Sequence, residues 1–521
     1  MRKRMIAITL AVTVMLGVSA YRVGSLSFGL TETASTNSGS YTLTVATPRG
    51  TVYDCNMVRL TNTASKRIAV LIPTTKTVAA VTEQLGNAAK DTLRRLKSGK
   101  PILAEIPVDF ICEDAKIFTV DVGLPTDCLA PHIIGYLDSE GKGVTGIQRA
   151  YEQILGSTRP LRVTYQVDAT GRALSGIDAV VSGTAQNTDG VVLTLDSRIQ
   201  RILQSQSTRL EKGAIIVMDS ITGKIKGMAS FPGFSPDRVG EVLNSTDGAL
   251  INRALSLYNV GSVFKPCVAI AGLEQGIEPT FTHSCQGFTM IGPNRFNCNL
   301  LTGHGSLEMT AAMAKSCNCY FIELGGKIGA ANLYNACIRL GFNRAYTLFE
   351  GVGTSAGTLP KLSSLTSQPA ALANLSFGQG DLMLSPLHLA VMTAAIANGG
   401  WLVTPSIIEA TVIKGETVTQ KQAQPRQVIT KQVAEQVAAM MGEVVKSGTG
   451  KAAQTEYGAA AGKTATAETG WFIEGKRVTQ SWFAGFWKDY TVVVLCEDGV
   501  SGSADCAPVF KNVCDMMAEI E

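Results

Sequence analysis

Residues 259–276 read NVGSVFKPCVAIAGLEQG and set Ser262 and Lys265 three positions apart at the head of an apolar run. On a helix, side chains at i and i+3 share a face, so the hydroxyl and the amine can meet. A free serine hydroxyl is a weak nucleophile. A lysine beside it acts as base only where burial or a second cation depresses its pKa. The first turn of a helix leaves backbone N–H groups without acceptors, which favours a developing oxyanion at Ser262 and tolerates Pro266. Against this stands chance: the chain holds another Ser-x-x-Lys, Ser139-Glu-Gly-Lys142, in a Gly-flanked turn with no helix after it.

Two further clusters could complete such a site. Ser316-Cys-Asn318 falls between two helical stretches, where its polar side chains could face a cleft. Its plain alternative is a helix N-cap, for which Ser and Asn are preferred. Lys463-Thr-Ala-Thr466 lies on an apparent strand, AAAGKTATAE. Alternation puts Lys463, Ala465 and Ala467 on one face and Thr464 and Thr466 on the other, unless the strand twists or borders a sheet edge. Lys446-Ser-Gly448 is a rival lysine site. The helical spacing of Val433, Val437, Met440 and Val444 instead assigns Lys446 to a last turn and Gly448 to a C-cap.

These residues need elements to hold them. From DGVVLTLDSRIQ onward a strand leads into a helix, and GAIIVMDSITGKIKGMASFP reads as a hairpin. Long helical stretches occupy about 253–400, and strands return in GAAAGKTATAET, RVTQSWFAGFW and YTVVVLCED before a final amphipathic helix. Strands at both ends with helices between them imply an α+β domain over 186–521, one sheet with helices on its faces. Residues 25–185 read as a linker followed by a mixed, β-containing segment. With 521 residues, 45% of them hydrophobic and 17% charged, the chain can build large cores and is not a disordered polymer. A formal charge of +4 and no basic block beyond MRKR argue against a nucleic-acid partner.

The apolar run Met5–Tyr21 follows that basic start. As a helix it spans roughly 25 Å, with Arg4 and Arg22 placed to snorkel and Tyr21 at an interface. Residues 1–24 are read as a cytoplasmic tip and uncleaved membrane anchor, with the rest exported; the competing reading is a signal peptide cleaved after Val18-Ser-Ala20. Twelve cysteines are many for an exported chain. Cys285/Cys298 and Cys496/Cys506 flank turns and could each bridge, whereas Cys267 and Cys337 resemble core residues. Cys-x-x-Cys spacing is absent and Cys317-Asn-Cys319 is too tight for one metal, so neither metal nor cofactor is expected.

In order, the Ser-x-x-Lys, Ser-x-Asn and Lys-Thr-x-Thr clusters resemble the motifs shared by class A β-lactamases and penicillin-binding proteins. RGTVYD (49–54), GVTGIQRAYEQIL, LTLDSRIQ, NRALSLYNVGSVFKP, GHGSLEMTAAMAKSCN and FGQGDLMLSPLHLA are similar, in sequence order, to landmarks of class B penicillin-binding proteins. These are the monofunctional peptidoglycan D,D-transpeptidases of the division and sporulation type. The resemblance implies their fold: an antiparallel sheet with helices on both faces and an all-helical subdomain, preceded by a pedestal and a membrane anchor. It also implies roles. Ser262 attacks a terminal D-Ala-D-Ala peptide, neutral Lys265 takes its proton, Ser316 bridges Lys265 toward Lys463 and relays a proton to the leaving amine, and Lys463 supplies positive potential. Asn318 holds the substrate amide, Thr464 and Thr466 bind its carboxylate, and the amides of Ser262 and Thr466 form an oxyanion hole. Stem peptides and β-lactams are the implied ligands, and a SEDS-type glycosyltransferase with other wall-assembly proteins the implied partners. Two positions depart from the pattern. Ala465 stands where glycine is usual, and Cys55 where arginine is common.

Other readings fit less well. Gly353-Thr-Ser-Ala-Gly357 matches a nucleophile elbow, but a helix should follow it and TLPKLSSLTSQP does not start one. A class A β-lactamase needs a deacylating glutamate, usually in Glu-x-x-Leu-Asn; none lies between Asn318 and Lys463, and EVLN at 241–244 is one residue short and upstream. A penicillin-sensing domain would share the three motifs. A catalytically impaired structural partner in a wall-synthesis complex would use the pedestal alone, which leaves the motifs without a purpose.

Overall fold

The computed structural model describes residues 39–156, 159–473 and 475–520. The expected anchor at 1–24 lies outside the described residues, and among those residues no helix is long and apolar enough to cross a membrane. The chain forms two compact units. The smaller takes in Ala64–Gly123 and Ser157–Asn187, and the larger Gly50–Thr63, Leu124–Gly156 and Thr188–Glu521.

In the smaller unit, strand Ala64–Leu71 pairs antiparallel with Ile102–Ile106 on one side and Lys116–Val122 on the other. The two-residue period sends Ala69 and Leu71 against Val81 and Phe110, and Ile68 and Val70 against Val120 and Val163. Thus both faces of this small sheet are covered.

The larger unit is built on five antiparallel strands: β1 (Gly213–Asp219), β2 (Ile225–Phe231), β3 (Ala460–Ile473), β4 (Lys476–Trp487) and β5 (Tyr490–Glu497). Their order is β2-β1-β5-β4-β3, so the C-terminal hairpin joins the N-terminal one and β3 is an edge. The apolar runs of β1 and β5 are continuous rather than alternating because both faces are buried. Ala214, Ile216, Met218, Val493 and Leu495 join a large core beneath α2 (Lys265–Glu274) and α5 (Pro386–Ala397). Ile215, Val217, Val492 and Val494 meet Phe510 and Val513 of α7 (Ala507–Ala518) and Leu203 of α1 (Ser197–Gln204). Each such side chain, fully buried, contributes about 1.5–3 kcal/mol. The α+β reading and the hairpin across Thr222-Gly223-Lys224 match this architecture.

The RGTVYD segment packs within the larger unit from Gly50 onward. Fully buried Asp54 accepts from the backbone N–H groups of Asn56 (2.8 Å), Val58 (2.8 Å) and Ser197 (3.0 Å). The last of these is a free donor at the start of α1. All twelve cysteines are unpaired.

Candidate active site

Ser262 lies on a single 3-10 turn, Gly261–Phe264, that runs directly into α2 at Lys265. The sequence alone implies one helix entrance. The tighter turn brings i and i+3 into line, and Lys265 N–H donates to Ser262 O to close it. The approach is fixed from the sheet: Trp482 Nε1 donates to Asn259 O at 2.9 Å, and Glu497 accepts from Tyr258 (2.6 Å) and from Arg253 (2.9 Å). Gly261 N–H donates to Gly378 O at 2.9 Å.

Ser316 and Asn318 sit where α3 (Met309–Ala314) turns into α4 (Asn318–Ile328). Ser316 is left-handed, with φ of 55°, a conformation costing roughly 1–2 kcal/mol in a non-glycine residue. The turn is held by its contacts. Lys265 Nζ donates to Ser316 O at 2.7 Å and to Asn318 Oδ1 at 2.7 Å, and lies 3.2 Å from Ser316 Oγ. Asn318 Nδ2 donates to Asn297 O at 3.2 Å, which fixes the orientation of its amide.

Lys463 on β3 reaches the same hydroxyl, 2.9 Å from Ser316 Oγ, and donates to Thr464 O at 2.8 Å. Ser316 Oγ therefore bridges two lysines that are both wholly buried. Burial lowers the Lys265 pKa from 10.5 to about 7. Burial, then the nearby Lys265 charge, holds Lys463 well below its usual value. A neutral amine has two N–H donors and one lone pair. At Lys265 the two short bonds to carbonyl oxygens occupy both donors, leaving the lone pair to accept a proton.

The head of α2, the α3–α4 turn and the free edge of β3 border a cleft of about 740 Å³. Ser262, Ser316, Asn318, Thr464, Ala465 and Thr466 all line it. Strict alternation would divide the β3 residues between two faces; both reach the cleft because β3 is an edge strand. Thr466 Oγ1 accepts from Gly502 N–H at 3.3 Å, and Thr464 Oγ1 lies 2.6 Å from Thr449 Oγ1. Ala465 is buried, and its methyl lies near Gly261, at which an added Cβ would be 3.4 Å away.

The structure thus brings together all eight residues singled out in the sequence. Lys446 is exposed at the end of α6 (Lys431–Lys446), away from this cleft. Ser355 of the elbow-like GTSAG stretch lies outside helix and strand; contrary to the sequence expectation a helix does start within TLPKLSSLTSQP, at Leu362, but too far beyond Ser355 to form an elbow. Sequence reasoning missed Asn297, Thr449 and Gly502, which come from distant segments; Gly448-Thr449-Gly450, a helix end, was the one local signal.

Residues 213–515, more than half of the chain, match the penicillin-binding protein transpeptidase domain family. The chain belongs to this family. Stage V sporulation protein D of Bacillus subtilis is 26% identical over 93% of this chain and 79% of its own length. The peptidoglycan D,D-transpeptidase MrdA of Acinetobacter baumannii is 29% identical over 68% of this chain and 58% of its own length. Among solved structures, the D,D-transpeptidase domain of a peptidoglycan glycosyltransferase from Eggerthella lenta superposes with a TM-score of 0.67 at 25% identity, covering 91% of this chain and 99% of that one. Penicillin-binding protein 3 of Mycobacterium tuberculosis, solved with aztreonam, gives a TM-score of 0.66 at 25% identity, covering 91% and 96%. The PBP2 chain of a Helicobacter pylori complex with MreC shares the fold at 20% identity, with a TM-score of 0.66 and coverage of 92% and 99%.

Proposed function

We infer that the chain is a peptidoglycan D,D-transpeptidase that cross-links stem peptides through a serine acyl-enzyme and is inhibited by β-lactams. The observation that carries this reading is the buried Lys265–Ser316–Lys463 relay beneath a cleft that also holds Ser262. Neutral Lys265 takes the Ser262 proton as Oγ attacks the carbonyl of the penultimate D-alanine. The amides of Ser262 and Thr466 receive the oxyanion; one such donor lowers the barrier by about 2.7–4 kcal/mol. Ser316, between the two lysines, passes a proton to the departing D-alanine amine. Asn318 holds the substrate amide, Lys463 supplies positive potential, and Thr464 and Thr466 bind the terminal carboxylate. An amine from a neighbouring stem peptide then attacks the ester, releases Ser262 and forms the cross-link.

Residues 1–24 anchor the chain in the cell membrane with the catalytic domain outside the cytoplasm, and residues 25–185 supply linker and pedestal apart from Gly50–Thr63 and Leu124–Gly156, which pack in the larger unit. The support is the apolar run Met5–Tyr21 behind a basic start. A SEDS-type glycosyltransferase and other wall-assembly proteins are the partners this arrangement suits. The direct test is exchange of the terminal D-alanine of a stem pentapeptide for a labelled D-amino acid. Exchange that disappears in Ser262→Ala supports the assignment. Exchange undiminished in that variant refutes it.

A further inference from the structure

The Lys446-Ser-Gly448 stretch, which helical spacing assigns to a last turn and its cap, delivers the next residue, Thr449, into the catalytic cleft. There Thr449 Oγ1 lies 2.6 Å from Thr464 Oγ1 on β3. We propose that Thr449 is a positioning residue for substrate recognition: its hydroxyl donates to Thr464 Oγ1 and turns the Thr464 proton toward the terminal carboxylate. This rests on the transpeptidase reading and adds a residue to it.

Proton counting sets the direction. A threonine hydroxyl carries one proton and two lone pairs, and a carboxylate only accepts. Two hydroxyls 2.6 Å apart share one proton between them. A Thr464 that gives its proton to Thr449 presents lone pairs to the anion and repels it. With the carboxylate in the cleft, Thr464 must donate to it, so the proton between the two hydroxyls comes from Thr449. The chain from Thr449 through Thr464 to the carboxylate polarises both bonds in the same sense and strengthens the last one. A neutral ligand atom at the same place gains less from it. Thr449 thus biases the cleft toward substrates with a free terminal carboxylate.

The backbone around Thr449 is tied to the walls of the cleft. Past the end of α6, Gly448 N–H and Gly450 N–H both return to Val444 O at 3.0 Å, which fixes the residue between them. Thr449 N–H donates at 3.0 Å to the carbonyl of Ala314, the last residue of α3. Gly448 passes so close that an added Cβ would meet Ala314 O at 2.3 Å. On the other side, Thr449 O accepts from Ser503 Oγ at 2.7 Å. The neighbouring Gly502 donates its N–H to Thr466 Oγ1, and a Cβ there would lie 2.5 Å from Ala465 O.

Thr449 is therefore held through its backbone by α3 and by the Gly502–Cys506 turn, while its side chain holds β3. Ala314 stands two positions before Ser316, so the seat of the carboxylate at Thr464 is linked to the position of the proton relay.

The test compares benzylpenicillin with its methyl ester, which keeps the β-lactam ring but lacks the carboxylate. Acylation of the full-length chain in detergent is followed by stopped flow, and the readout is the rate ratio of acid to ester. In Thr449→Val, close in shape but without the hydroxyl, that ratio should fall about three- to tenfold, the effect of one hydrogen bond. Thr449→Ser should keep the ratio within about twofold of wild type. In a Thr464→Val background, Thr449→Val should lower the ratio no further, because it acts through Thr464. A ratio unchanged in Thr449→Val, equal losses with acid and ester, or fully additive losses in the double variant would overturn the proposal. Should Thr449→Val not fold, a crystal structure of the wild-type benzylpenicilloyl enzyme decides. Thr464 Oγ1 within about 3.0 Å of both the drug carboxylate and Thr449 Oγ1 supports the chain of donors, and a Thr464 turned from either one refutes it. A wild-type chain acylated by neither compound brings down the transpeptidase reading and this proposal with it. Acylation whose acid preference ignores Thr449 brings down this proposal alone.

Discussion

Lys265 is where the chemistry is decided. As an ammonium it cannot receive the Ser262 proton, so its pKa of about 7 sets how much enzyme is competent. The sign follows: the active form is the deprotonated one, and activity is lost as pH falls. Acylation by benzylpenicillin should rise roughly tenfold per pH unit below pH 7 and level off above it. A flat rate between pH 5 and 9 would remove Lys265 from the role of base. Lys265→Arg keeps the charge but cannot give up its proton, and should slow acylation by about 10²–10⁴-fold in the same stopped-flow assay.

At the scale of elements, the edge strand β3 and the 3-10 turn set the width of the cleft. Glycine at 465 would open space beside Gly261, so Ala465→Gly should keep or raise the acylation rate. The greater freedom of glycine in a strand should cost about 0.5–1 kcal/mol in a thermal melt. A clear drop in rate would mean that the alanine methyl positions substrate. Asp54 acts on stability alone. Asp54→Ala leaves three backbone N–H groups without their acceptor and should cost about 1–3 kcal/mol in denaturant unfolding, with acylation unchanged.

These elements differ in how plainly the sequence announces them. The Ser262/Lys265 pair is local, a matter of i and i+3, and helix periodicity correctly separates Lys446 from Lys463. That β3 is an edge strand, so that Thr464, Ala465 and Thr466 all reach one cleft, depends on pairing with β4 and on nothing along β3 itself. The same holds for Asn297 and Thr449, brought in by contacts between distant segments. The approach of Cys285, Cys298, His304 and Cys317 to one another is hidden for a related reason. They are separated by 13, 6 and 13 positions, and a hairpin and two left-handed glycines fold those intervals together.

In the whole molecule, the anchor proposed at residues 1–24 precedes the catalytic unit. Full-length chain should sediment with membranes and require detergent for release, whereas chain beginning after residue 24 should stay in the supernatant. Equal solubility of both would refute the anchor. The larger question is whether this cleft forms a lasting acyl-enzyme, as a transpeptidase does, or turns β-lactams over. Intact mass of the protein after incubation with benzylpenicillin, beside Ser262→Ala, answers it most directly. A stable gain of one drug molecule, absent from the variant, is the expected result. An unmodified wild-type mass, or an adduct that survives in Ser262→Ala, would contradict it.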